Sequence, residues 1–99
     1  MKVVAVTACP TGIAHTYMAA DALMKAAPKF SVQLKVETQG AMGIENPLSA
    51  RDIDSADIVF IVSDIDVEQA TRFTGKKVIH IAIEDVLMNP DKWFILHCR

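Results

Sequence analysis

Four short apolar runs rich in β-branched residues, "KVVAVT" (2 to 7), "SVQLKVE" (31 to 37), "DIVFIV" (57 to 62) and "KVIHIA" (77 to 82), are separated by stretches of helix-forming composition. Strands that alternate with helices pair in parallel through right-handed crossovers. The chain is therefore expected to be α/β: a three-layer sandwich with a four-stranded parallel sheet, ordered 2-1-3-4, and helices on both faces. The first and third runs are almost continuously apolar, as strands covered on both faces are, which predicts a central place for each. "SVQLKVE" sets Val32, Leu34 and Val36 against Gln33, Lys35 and Glu37, the alternation of a half-exposed strand, and is expected at an edge.

Between the first two runs, "GIAHTYMAADALMKAAPKF" (12 to 30) is rich in strong helix formers until Pro28 stops it, which predicts a helix of about 14 residues. Ala14, Met18, Ala22 and Ala26 recur at i, i+4 and are expected to face the sheet. "LSARDIDSA" (48 to 56) reads as a short helix capped by Ser49. "DVEQATRF" (66 to 73) reads as another, with Asp66 as N-cap and Gly75 closing the turn after it. "AIEDVLMNPDKWFILHCR" (82 to 99) is expected to be helical with a break at Asn89, which caps a new turn opened by Pro90; its end, "DKWFILHCR", reads either as the start of a linker in a longer polypeptide or as a packed final helix led by Trp93 and Phe94.

At 99 residues the chain fits a single domain spanning 1–99. The net charge of −2 and the lack of a basic arm set aside general nucleic-acid binding, which needs a surplus of Lys and Arg on one face. The longest apolar runs are a few residues against the roughly twenty of a membrane span. The N-terminus lacks the order of a secretory signal, so a cytoplasmic location is expected. In that reducing setting Cys9 and Cys98 are read as thiols. A metal site needs a second cluster of Cys or His at short spacing, which this sequence does not offer; no metal or other cofactor is expected.

In the order 2-1-3-4 the chain reverses between the first and third strands, and ligands bind past the carboxyl ends of the strands at such a reversal. The loop that follows the first strand there is "ACPTGIAHT" (8 to 16). A lone cysteine is ordinarily a small core residue, but Cys9 is followed by Pro-Thr-Gly at the expected ligand end of the sheet. A helix N-terminus favours its thiolate. The backbone N–H groups of Thr11, Gly12, Ile13, Ala14 and His15, with Thr16 beside them, can wrap an oxyanion. A nucleophile and an anion cradle in one loop point to chemistry on phosphorus, with an S-phosphocysteine as product. Gln39, Gly40 and Asp64, at the ends of the second and third strands, are candidates for the rim, with solvated turn formers as the equal alternative. Cys98 reads as incidental, His80 as a satisfied sheet residue and His97 as solvated.

Two alternatives stay open on the residues alone. A cysteine phosphatase of the low-molecular-weight type has a similar layout and a loop C-x5-R-S/T. It would use Thr16 to help release the thiolate and Asp64 or Asp66 as general acid, but the arginine position here is His15, so phosphate lacks a bidentate clamp. A regulatory module in which Cys9 senses phosphorylation state or oxidants is the other.

The stretches "CPTGIAHTYMAA" (9 to 20), "VETQGAMGIEN" (36 to 46), "DIDSADIVFIVSD" (52 to 64) and "RFTGKKV" (72 to 78) resemble the B component, enzyme IIB, of the fructose-type bacterial phosphoenolpyruvate-dependent sugar phosphotransferase system. The likeness covers the chain to about residue 85. It implies a protein-phosphohistidine sugar phosphotransferase. Cys9 would accept a phosphoryl group from a phosphohistidine of the IIA domain and pass it to a fructose-type sugar at the membrane-embedded IIC domain. Ile13, Tyr17 and Met42 are then candidates for contact with those partners.

Overall fold

The structure, a computed structural model, describes residues 1–9 and 14–98. The chain runs β1 (Lys2–Ala8), α1 (Ala14–Ala26), a 3-10 turn (Ala27–Phe30), β2 (Gln33–Gly40), β3 (Gly43–Glu45), α2 (Ala50–Ser55), β4 (Ile58–Ser63), a second 3-10 turn (Ala70–Phe73), β5 (Val78–Ile81), α3 (Ile83–Met88) and α4 (Pro90–His97). The sheet order is β3-β2-β1-β4-β5. Its four parallel strands are the four expected from the sequence, in the expected order. A short antiparallel strand, β3, is added outside β2. It makes β2 an inner strand: Gly40 pairs with Gly43 across a tight turn at Ala41 and Met42, and Gly43 takes φ +89°, where a side chain is strained.

β1 has partners on both sides, β2 and β4, and alternates its side chains between two cores. Val3 and Ala5 pack with Phe60, Leu23, Ala19, Val86 and Phe94 under α1, α3 and α4. Val4 and Val6 pack with Ile53, Leu48, Ile61 and Phe73 under α2 and the second 3-10 turn. The three layers follow from this period-two alternation, since each face of β1 needs its own cover.

Helix signals in the sequence succeed where they are local. Ser49 caps α2 in a reciprocal box, its hydroxyl accepting from the Asp52 N–H at 3.0 Å while the Asp52 carboxylate accepts from the Ser49 N–H at 2.9 Å. Asn89 accepts from the Lys92 N–H at 3.3 Å, with Pro90 opening α4. Phe94 is fully buried, its ring 5.8 Å from Phe30 and 5.7 Å from Phe60. α1 ends at Ala26 after 13 residues, and Pro28 sits in the 3-10 turn that follows it.

Two expectations about the helices fail, besides the edge place expected of β2. The buried face of α1 is Thr16, Ala19, Ala20, Leu23 and Ala26; of the expected set only Ala26 is buried, and Met18 is 54% exposed. Alanines lie on every side of this helix, so only Leu23 marks the inward face, and it does so from outside the i, i+4 set. The segment expected as a helix from Asp66 forms only the turn Ala70–Phe73, because Gln69 adopts left-handed φ 59° and ends any helix before it starts. Gly75 does close this region, at φ +86°. With no full helix there, one face of β5 stays open. His80 is exposed and lines a groove of about 510 Å³, which Cys9 does not border, with Ile61, Ile65, Phe73 and Val78.

Candidate functional site

The parallel register fixes what meets at the carboxyl edge. Ala8, the last residue of β1, lies level with Gln39 of β2 and Ser63 of β4. The next residue of each strand path is Cys9, Gly40 and Asp64: Cys9 and Asp64 leave the sheet at its order reversal, while Gly40 ends β2 and still pairs with Gly43, so three expected site residues lie at one edge. Cys9 is half-buried and packs at the margin of the core under α1. Thr11, Gly12 and Ile13 lie outside the described residues, as does Pro10.

Cys9 borders two clefts. One, of about 330 Å³, is lined by Cys9, His15, Asp64, Glu84, Leu87 and Met88 over Ile83. The other, of about 350 Å³, is lined by Ala8, Cys9, Gln39, Gly40, Ala41, Ile65, Asp66 and Glu68. Ala14 and His15, at the start of α1, are exposed. Thr16 is fully buried: its carbonyl accepts from the Thr7 hydroxyl at 3.1 Å, while its own Oγ1 has no hydrogen-bond partner among the described residues. Among the described residues that line the two clefts there is no lysine or arginine, but there are four carboxylates, Asp64, Asp66, Glu68 and Glu84.

Gln39 is not a solvated rim residue. It is 8% exposed, its Oε1 accepts from the Glu68 N–H at 2.8 Å, and its Nε2 donates to the Glu68 carbonyl at 3.1 Å and to Glu37 Oε2 at 2.9 Å. Glu37, read from the alternation as half-exposed, is fully buried. Its carboxylate accepts from both arms of Arg72, at 2.9 and 2.5 Å, and from the Leu48 N–H at 2.9 Å. Burial alone would push this carboxyl up, but the hydrogen bonds from Arg72, Gln39 and Leu48 together outweigh it and hold Glu37 below its ordinary value. Sequence reasoning missed this group. Its only signal is an acid in a strand followed, 35 positions later, by an arginine, a spacing with no local meaning.

The remaining titratable candidates fall away from the site. Cys98 is half-buried against the core, and burial pushes its thiol up. His97 is not simply solvated: it is half-buried, stacked on Trp93 at 6.4 Å and edge-on to Phe60 at 6.2 Å. Tyr17, a candidate for partner contact, donates its hydroxyl to Glu45, which joins α1 to β3; that hydrogen bond is the main cause that raises its pKa. Met42, another, is 76% exposed at the β2–β3 turn. Among the described residues no helix is long and apolar enough to cross a membrane.

Residues 4–95 match the family model described as "PTS system, Lactose/Cellobiose specific IIB subunit". The chain is 49% identical over 90 residues to the "PTS system fructose-like EIIB component 2" of Escherichia coli K12, covering 91% of this chain and 85% of that one. It is 45% identical to part of the "PTS system fructose-specific EIIABC component" of Bacillus subtilis, spanning 92% of this chain but 14% of that longer protein. Among solved structures, an Enzyme IIB subunit of the PTS system from Escherichia coli K12 superposes with a TM-score of 0.91 at 40% identity, covering 96% of this chain and 88% of that one. A domain of a fructose-specific IIABC component from Borrelia burgdorferi gives 0.87 at 42% identity, covering 92% and 86%.

Proposed function

The chain belongs to the IIB family of the sugar phosphotransferase system, in its fructose type, and on that premise we propose that it is a phosphoryl carrier working through Cys9 at the cytoplasmic face of the membrane. The observation that carries the reading is the meeting of Cys9 and Asp64, where β1 and β4 leave the sheet at its order reversal, with Gly40 at the end of β2, and the two clefts that Cys9 borders. Relatives named as EIIABC and EIIBC components support partners of the A and C kind; in this reading a IIA domain is the donor and a IIC membrane domain the acceptor.

In the first half-reaction the Cys9 thiolate attacks phosphorus of the donor phosphohistidine. The P–N bond breaks with its electron pair returning to the imidazole, and the P–S bond forms. In the second, a hydroxyl of a fructose-type sugar at IIC attacks phosphorus and loses its proton to a base, and the P–S bond breaks to restore the thiolate. The backbone N–H groups of Thr11, Gly12, Ile13, Ala14 and His15 hold the phosphoryl oxygens, with Thr16 beside them. Gly40 and Asp64 form the rim.

A relay needs an intermediate that is not too stable. The lining of the clefts favours this. No guanidinium from the described lining clamps the phosphoryl group, and Arg72, the nearest in sequence to the lining residues Asp66 and Glu68, is engaged by Glu37. Carboxylates flank the site, and like unit charges ~8 Å apart in water repel by roughly 0.5 kcal/mol. A thiophosphate carrying two negative charges is thereby pushed toward transfer.

The test is mass spectrometry after incubation with phosphorylated IIA. One added phosphate on Cys9 is expected, absent in Cys9→Ala while the far-UV circular dichroism is unchanged. Phosphate on a histidine instead, or undiminished transfer by Cys9→Ala, overturns the assignment.

A further inference from the structure

We infer that Gln39, Glu37 and Arg72 form a buried clamp that positions the segment 64–69, one wall of the Cys9 site, for partner docking; the inference rests on the carrier reading above. After β4 the chain leaves the sheet at Asp64 and returns only at β5. On the way it presents Asp64, exposed Ile65, Asp66 and Glu68 to the two clefts that Cys9 borders. This wall has no regular secondary structure of its own from 64 to 69. A loop of that kind is mobile unless its backbone polar groups are tied down.

Two ties do this, both from β2. The Gln39 amide pairs with the N–H and the carbonyl of Glu68, as a neighbouring strand would. The Glu37 carboxylate grips Arg72 through both arms of its guanidinium, while Arg72 Nε donates to the Gln69 carbonyl at 3.1 Å. Gln69, between them, is held in the left-handed region, which a non-glycine residue leaves unless its surroundings insist. Glu37 also accepts from Gln39 Nε2, which fixes the orientation of the amide that faces Glu68. The three side chains are thus one network, and removing any member releases the wall. Ser63 adds a smaller local tie, its hydroxyl donating to the Ile65 carbonyl at 2.6 Å and accepting from the Ile65 N–H at 3.0 Å.

A wall already ordered does not have to be ordered by the partner, so the clamp acts on encounter rather than on the chemical step. Gln39, Glu37 and Arg72 are positioning residues. The loss should therefore appear in KM for the protein donor and leave kcat nearly intact.

The experiment compares the full chain with Gln39→Ala and Arg72→Lys by amide hydrogen exchange and by steady-state transfer from phosphorylated IIA. Expected in Gln39→Ala is exchange at Glu68 faster by about tenfold or more, with β1 and β4 still protected, and a KM raised severalfold at a kcat within about twofold. Arg72→Lys, which keeps the charge but loses the fork, should fall between. Unchanged exchange at Glu68 overturns the clamp, as does faster exchange with KM unmoved or a loss confined to kcat. Should the unaltered chain take no phosphate on Cys9, the carrier reading fails, and the exchange at Glu68 still decides whether the clamp exists.

Discussion

Thr16 and Glu37 are two buried polar residues with opposite accounts. The Thr16 hydroxyl is buried with no partner among the described residues, and an unmade buried hydrogen bond costs about 1–3 kcal/mol. Thr16→Val, which keeps the shape and removes the hydroxyl, is expected to leave the melting temperature equal or higher. If Oγ1 serves the thiolate or the phosphoryl group, transfer should fall by about tenfold, a loss of roughly 1.4 kcal/mol at the barrier. Raised stability with unchanged transfer would remove Thr16 from the site. Glu37 is the reverse case, fully bonded, and no local pattern announced it. Its place in "VQLKVE" reads as the polar side of an edge strand, because the alternation cannot foresee that β3 and the turn after β4 will cover that side. The place of Cys9 was legible for a different reason: the apolar run before it marks β1, and the residue after that strand falls where an α/β sheet offers a ligand.

Among elements, α4 joins the core chiefly through its one fully buried side chain, with Trp93 and His97 packed beside it. Phe94 meets Phe30 and Phe60, so Phe94→Ala should cost about 3–5 kcal/mol in urea unfolding. The lone tryptophan, Trp93, reports the transition by fluorescence. Ser49→Ala removes half of the capping box of α2 and should cost about 1 kcal/mol by the same measurement. Both elements could be read in advance, since a Ser-x-x-Asp box and an Asn-Pro step act within one turn. β3 could not: "GIE" is three residues without a period, and it is a strand only because β2 offers it a ladder. The turn Ala70–Phe73 was hidden likewise, its conformation set by contacts with β2 rather than by "DVEQATRF" itself.

At the scale of the whole molecule, two acids join distant parts of the chain. Glu37 ties β2 to the segment before β5. Asp52 in α2 accepts from Lys35 of β2 at 2.7 Å and lies 3.7 Å from Lys2 of β1. The Lys35 hydrogen bond, with those from Ser49, holds Asp52 well below the usual carboxylate range. Carboxyls depressed in the folded state contribute stability that is fully present above their ordinary values, 4.5 for Glu37 and 3.8 for Asp52. That stability is lost as pH falls through the folded values. Urea midpoints should be level near neutrality and drop below about pH 5. Glu37→Gln should be less stable at pH 7 and approach the native chain as acid protonates Glu37 there; a constant gap across that range would contradict the assignment.

Finally, β1 is bonded to a neighbour along both of its edges and walled by packed side chains above and below. A sulfur mounted directly on the tip of such a strand has an anchorage with almost no give. On the carrier reading, such a scaffold would gain or lose a charged cargo without flexing, and whatever tells a visiting protein whether the seat is taken would be written in the electric field at the surface and not in the outline of the molecule.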